Sequence, residues 1–230
     1  MEKVILHAHS CWSHDSSIEL KEWRNFIVAK GISKLYLTEH EESGWDDRRY
    51  QEYKLECESF SCKHHKIIAG LELNIRGYHI LAPGLRNYSN RPTDLDLDSL
   101  KKWVDARGSF LIAAHPDKYH SHDKEILALC TGIELINTKH QYNWVIASPT
   151  RRAYELMQQY NLQPFLGQDI HRLTQFRKAG LLFNDTPDLR RARSPYCQRQ
   201  PSRVSELLIV GKNTLLRVYV KLKKTWKEKM

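Results

Sequence analysis

Twelve histidines stand in a chain of 230 residues, and their placement among carboxylates is the first chemical signal. His7 and His9, Glu39 with His40, Glu72, His79, His115, Asn137, and Asp169 with His171 recur at the C-terminal ends of short β-rich runs. Imidazole nitrogens and carboxylate oxygens without thiolates are the donor set of Zn2+, Mn2+ or Fe2+, and the set does not choose among the three. A carboxylate shared by two such ions holds them roughly 3.5–4 Å apart, a separation that stabilises both the attacking and the leaving oxygen of a phosphoryl displacement. Other chemistries lack their motifs. There is no Gly-x-Ser-x-Gly of a serine hydrolase, no P-loop and no Gly-x-Gly-x-x-Gly.

Donors so far apart in sequence meet only if the strand ends share a face. Short β-rich runs fall at Lys3–His7, Lys34–Thr38, Lys66–Leu73, Tyr78–Leu81, Ser109–His115, Gly132–Asn137 and Pro164–Gln168. Between them the periodicity predicts helices at Ser17–Lys30, Trp45–Phe60, Leu95–Arg107, Ser121–Cys130 and Ser148–Tyr160. Gly31 reads as the C-cap of the first helix, and Ser148-Pro149 as the opening of the fifth. The alternation is that of β/α units around a mostly parallel sheet, and in a parallel barrel the C-terminal strand ends open on one face. After His171 the pattern loosens. Arg190 to Pro195 reads as a loop and Val218 to Met230 as a basic terminal segment.

Composition fits such a body: 41% apolar and 27% charged residues, with six Trp and eleven Tyr, describe a globular chain with material for a real core. The longest apolar runs, such as Phe110 to Ala114, fall far short of the roughly 18–20 residues of a membrane span, and Glu2-Lys3 is not the start of a signal peptide. Cys11, Cys57, Cys62, Cys130 and Cys197 are odd in number and lack Cys-x-x-Cys spacing, so reduced thiols and a cytoplasmic location are expected, with no membrane partner. The net charge of +9 is unevenly spread: residues 172–230 hold 15 Lys or Arg against 4 Asp or Glu, so the rest of the chain nets −2. A basic end of this kind is a solvated face or a contact for a polyanion.

The residues also resemble a known family. Leu6-His7-Ala8-His9-Ser10-Cys11-Trp12-Ser13-His14-Asp15 looks like the opening motif of the polymerase and histidinol phosphatase (PHP) superfamily, in the form with one extra residue before its Asp. Thr38-Glu39-His40 resembles its Thr-Asp-His, and Gly70-Leu71-Glu72 its Gly-x-Glu. Tyr78-His79, Ala114-His115-Pro116, Ile133-Glu134-Leu135-Ile136-Asn137 and Gly167-Gln168-Asp169-Ile170-His171 follow in family order. The match runs from residue 3 to about residue 172.

The resemblance implies a distorted seven-stranded β/α barrel with a metal cluster at its C-terminal face, extended by a basic C-terminal segment. The division expected is a barrel domain over residues 1–211 and the basic segment over 212–230. Carried over, the metal ligands are His7, His9, Asp15, His40, Glu72, His79, His115, Asp169 and His171. His7, His9, Glu72 and Asp169 would hold one ion, a bridging Glu72 with His79 and His115 a second, and Asp15, His40 and His171 a third. Glu72, Asp169 and His171 are the expected catalytic residues; Lys118, His120, Asn137 and Arg172 are expected at the substrate, with Lys139 and His140 on the same rim. His14 competes with Asp15 for one ligand position, Glu39 replaces the usual Asp, and Trp12 would stack on a base or pack on the rim. The implied activity is hydrolysis of a phosphate ester by metal-activated hydroxide, with up to three Zn, Mn or Fe ions per chain. Its partner would be a phosphorylated small molecule, a nucleotide or the 3′ end of a nucleic acid. The alternative is a barrel serving as a non-catalytic nucleic-acid-binding or scaffold module.

Overall fold

The computed structural model of the chain describes residues 2–118, 123–139, 150–178, 181–184 and 188–191. Strands β1 (Glu2–Ile5), β2 (Lys34–His40), β3 (Lys66–Ile75), β4 (Tyr78–Ala82), β5 (Ile112–Ala113), β6 (Gly132–Asn137) and β7 (Gln163–Gly167) pair in spatial order 7-6-5-4-3-2-1. The first and last close on each other beyond their ends, where Ala8 bridges Ile170 and the His9 amide donates to the Ile170 carbonyl at 2.9 Å. The result is the nearly closed seven-stranded barrel that was expected. An eighth strand, β8 (Leu182–Asn184), runs antiparallel to β1 at the other end of that seam. It was not legible in the sequence, being three residues long in a stretch without periodicity.

The sheet is less parallel than expected. β4 runs against both β3 and β5, whereas β1–β2–β3 and β5–β6–β7 are parallel. The reversal is set locally: Ile75 pairs directly with Tyr78, so Arg76 and Gly77 form a two-residue hairpin loop with φ of 52° and 82°. One consequence reaches the site. His79 stands near the start of β4, not at a C-terminal strand end, and faces the same end of the barrel as Glu72 because its strand is inverted.

Helices α1 (Leu20–Lys30), α2 (Asp47–Ser59), α3 (Leu97–Ala106), α4 (Lys124–Leu129) and α5 (Arg151–Gln159) each begin two or three residues later than expected. The caps decide the start: Asp46, Asp96, Asp123 and Thr150 accept from the Arg49, Ser99, Glu125 and Ala153 amides. Gly31 closes α1 in the left-handed region, as expected, whereas Ser148 and Pro149 lie outside the described residues. The core is continuous through the barrel and out to Trp23, Ile27, Tyr50 and Tyr53 on α1 and α2. Cys11, Cys57, Cys62 and Cys130 are free thiols. Among the described residues no helix is long and apolar enough to cross a membrane. The basic segment over residues 212–230, like all of the chain beyond residue 191, lies outside the described residues.

Candidate metal centre

The geometry centres on Glu72, which is buried in mid-β3 between His40 and Leu81 of the neighbouring strands. Its Oε2 lies 3.2 Å from His7 Nε2, 3.4 Å from His9 Nε2 and 3.2 Å from His40 Nδ1. Its Oε1 lies 2.7 Å from His79 Nδ1 and 2.9 Å from His115 Nε2. Asp169 Oδ1 completes a first group, 3.8 Å from His7 Nε2 and 3.4 Å from His9 Nε2. Asp15 Oδ2 completes another, 2.8 Å from His171 Nε2 and 3.4 Å from His40 Nε2.

These spacings suit a cation. Four donors at 2.0–2.1 Å around a tetrahedral ion stand about 3.3 Å apart. His7 Nε2 and His9 Nε2 stand 3.1 Å from each other and 3.2–3.8 Å from Glu72 and Asp169. His9, His40 and His171, the trio His7, His9 and Asp169, and the trio His40, Glu72 and His79 each present ligand atoms close enough to share an ion. All nine expected ligands are therefore gathered at one end of the barrel.

A layer behind them fixes which nitrogen faces inward. His7 Nδ1 is held by Glu134 Oε1 at 2.7 Å, and His171 Nδ1 lies 3.1 Å from the Asp169 carbonyl oxygen. His9 Nδ1 meets Ser13 Oγ at 3.2 Å while that hydroxyl donates to Glu39 at 2.5 Å, so Ser13 accepts from His9. Each anchored Nδ1 leaves Nε2 pointing at the cluster. Glu39 also accepts the Ser10 amide and hydroxyl at 3.0 and 2.7 Å, clamping the opening motif and taking no place among the ligands. Two indoles brace the main chain: Trp23 Nε1 donates to the His9 carbonyl at 3.0 Å and Trp45 Nε1 to the His40 carbonyl at 2.8 Å. His115 and Asp169 occupy the left-handed region at φ 28° and 52°, conformations a non-glycine residue keeps only where its surroundings hold it.

Electrostatics keep three of the imidazoles neutral. Burial drags His9 down to about 3, offset only in part by Asp169 and Glu72. Burial likewise lowers His40 and His171. Burial also opposes an imidazolium at His7, but Glu134, Glu72 and Asp169 together outweigh it and push His7 well above its ordinary value. Burial would raise Glu72, yet His7 and the hydrogen bonds from His115 and His79 hold it well below the carboxylate range. Burial pushes Glu39 up to about 7 despite its serine donors. Neutral His9, His40 and His171 offer the lone pairs a cation needs, and His7 is the ring that must release a proton on binding.

The rim answers the remaining expectations. A cavity of about 310 Å3 opens over the cluster, lined by Asp15, His40, His79, His115 and Asp169 together with Lys118 and Lys139. Asp15 stands on the ligand atoms of His40 and His171; His14 is exposed, with its amide on Ser43 Oγ, and only borders the cavity. Lys139 Nζ sits 3.1 Å from both Asp169 Oδ1 and His171 Nδ1. Asn137, expected at the substrate, is fully buried and gives its amide to Glu134 Oε2 at 2.9 Å, so it supports the cluster from beneath. Arg172 is exposed and does not line the cavity. Trp12 packs on the rim, 5.9 Å from Trp45 with Nε1 on Glu56. His120 and His140 lie outside the described residues. Sequence reasoning gave no role to Glu134 and Ser13, which touch the ligands, or to Ser10, which reaches them only through Glu39; none has a metal-ligand spacing of its own.

No family model and no curated protein matches the sequence. Solved structures do match the fold. A two-domain protein from Bacteroides vulgatus containing a predicted PHP-like metal-dependent phosphoesterase superposes with a TM-score of 0.54 at 19% identity, over 76% of this chain and 53% of that one. The fold is that of a PHP-like barrel. An amidohydrolase from Chromobacterium violaceum, with bound SO4 and no metal, has a TM-score of 0.51 at 14% identity over 73% of this chain and 87% of that one. The PHP-like barrel described here thus spans about half of the Bacteroides protein. The cluster sits where the seam between β1 and β7 closes, since His7, His9, Asp169 and His171 flank the Ala8–Ile170 bridge.

Proposed function

We propose that this chain is a hydrolase of the PHP type, a metal-dependent phosphoesterase. The observation that carries the reading is the convergence of nine imidazole and carboxylate side chains, Glu72 central among them, at separations suited to divalent cations. The proposed division is His7, His9, Glu72 and Asp169 for one cation, Glu72, His79 and His115 for a second, and Asp15, His40 and His171 for a third. Bound there, Zn2+, Mn2+ or Fe2+ would supply Lewis acidity toward a phosphate oxygen and lower the pKa of water, so that hydroxide is available near neutral pH to attack phosphorus.

The chain's own residues do the rest. Glu134, Ser13 and the Asp169 carbonyl keep three rings oriented with Nε2 inward. Lys118 and Lys139 put positive charge on the wall of the cavity, where the non-bridging oxygens of a phosphate would lie. No serine or cysteine nucleophile is used. Substrates that present the same group are a small phosphomonoester, a nucleotide or the 3′ end of a nucleic acid.

Hydrolysis of p-nitrophenyl phosphate by the purified full-length chain tests the reading. Activity should vanish on chelation and return with Zn2+, Mn2+ or Fe2+. Turnover that survives complete metal removal would contradict it, and a metal-loaded protein inert on phosphate mono- and diesters would favour the binding-module alternative.

A further inference from the structure

A fully buried carboxylate that is not among the expected ligands touches two of them at once. Glu134 of β6 has no solvent exposure, and its two oxygens are used differently. Oε1 holds His7 Nδ1 at 2.7 Å; Oε2 accepts the His115 amide at 2.7 Å and the Asn137 side-chain amide at 2.9 Å. The pairing of β6 with β7 skips a residue between Glu134 and Ile136, a bulge of the kind that re-aims a side chain.

The neighbouring strand makes room for it. A Cβ on Gly167 of β7 would lie 1.6 Å from Glu134 Oε1 and 2.2 Å from its Cδ. Nothing larger than glycine fits at Gly167 while the carboxylate stays where it is. The His115 amide that Oε2 receives belongs to a residue at φ 28°, so the same carboxylate ties down a main-chain conformation that few residues adopt unaided.

We propose that Glu134 is the positioning residue of this centre: one carboxylate orients the His7 ring in the first proposed cation site and pins the His115 main chain in the second, with Gly167 as the space it requires. The proposal rests on reading the cluster as a metal centre. Because His7 can present Nε2 to a cation only with its proton on Nδ1, and Glu134 is the acceptor for that proton, loss of the charge at residue 134 weakens both sites together. The third group, Asp15 with His40 and His171, makes no contact with Glu134 and keeps its affinity.

The test uses full-length protein stripped of metal and titrated with Zn2+ by calorimetry, in wild type, Glu134→Gln and Gly167→Ala. Glutamine keeps the shape but has one acceptor oxygen for donors arriving at both ends, so Glu134→Gln should bind Zn2+ at the first two sites about 10–100-fold more weakly, with an unchanged far-UV spectrum. Gly167→Ala should do the same by displacing the carboxylate. In 15N-histidine-labelled, Zn2+-loaded protein, the His7 Nδ1 proton should give a slowly exchanging signal that Glu134→Gln loses, a change that a merely space-filling role would not produce. Wild-type affinity in either variant, or an unchanged His7 signal in Glu134→Gln, overturns the positioning role alone. A wild-type protein that takes up no Zn2+ overturns the metal-centre reading, and the proposal falls with it.

Discussion

Replacing Glu72 by glutamine removes one charge and almost no volume, and the structure shows what that charge faces. In the metal-free protein its Oε2 stands 3.2 Å from a His7 ring that is held protonated. At an effective dielectric of about 20 that attraction is on the order of 5 kcal/mol. Burying the carboxylate costs several kcal/mol and offsets only part of that attraction, while His7 keeps Glu134 as its other partner at 2.7 Å. Glu72→Gln should therefore destabilise the metal-free protein, by no more than the roughly 3–5 kcal/mol typical of removing one partner of a buried pair. The metal-bound protein should respond differently. Each ion at a free concentration of 100 Kd stabilises the fold by about 2.7 kcal/mol, and Glu72 is proposed to serve two, for about 5 kcal/mol in all. At about 2–4 °C per kcal/mol for a chain of this size, that is a difference of about 10–20 °C in Tm. Thermal melts of wild type and Glu72→Gln, each with excess Zn2+ and with chelator, measure it. Wild type should lose more on chelation than the variant by about that difference, the variant keeping only the increment of the third site. A variant that keeps the full chelator-sensitive increment would refute the central place given to Glu72.

Three further outcomes follow from the same geometry and a fourth from the charge pattern of the sequence. Asp15→Ala should lose about one metal per chain and His14→Ala none, because Asp15 alone reaches His171 and His40; metal analysis of both variants decides it. Lys139→Ala should raise KM for a phosphate ester more than it lowers kcat, since its ammonium lies on the cavity wall beside Asp169, and steady-state kinetics would expose the reverse split. In the metal-free protein His9 stays neutral down to about 3 whereas the unfolded chain takes up that proton near 6.5, so its contribution is present above 6.5 and lost as pH falls through the window, by at most about 5 kcal/mol. The gap in urea midpoint between wild type and His9→Gln should therefore narrow from pH 7 to pH 4, and a constant gap would contradict this. Deleting residues 215–230, with their cluster of lysines, should leave p-nitrophenyl phosphate hydrolysis unchanged while weakening single-stranded nucleic-acid binding and flattening its salt dependence; an unchanged salt slope would point to a small phosphorylated substrate.

Strands such as Lys34–His40 and Gly132–Asn137 were legible because their apolar runs are bounded by capped helices and turns. Most of the expected ligands were legible as candidates because they stand at or near the ends of such runs, whereas Asp15 came only with the family resemblance and His79 reaches the same face because β4 is inverted. Two features resisted for stated reasons. The direction of β4 depends on a two-residue loop at Arg76 and Gly77, whose meaning appears only once Ile75 is known to pair with Tyr78. β5 was expected over Ser109–His115 but pairs only at Ile112–Ala113, because His115 turns into the left-handed region and sends its amide to Glu134. Glu134 itself carries no local signature. It sits in a strand buried at every residue, and its importance comes from His7, 127 positions away.

Anomalous diffraction from crystals of the full-length chain grown with Mn2+ tests the central claim most directly. The account predicts a peak within bonding distance of His7 Nε2, His9 Nε2, Glu72 and Asp169, a second on the other oxygen of Glu72 beside His79 and His115, and a third between Asp15, His40 and His171. No anomalous density in this cluster at saturating Mn2+, or density only elsewhere on the molecule, would contradict it.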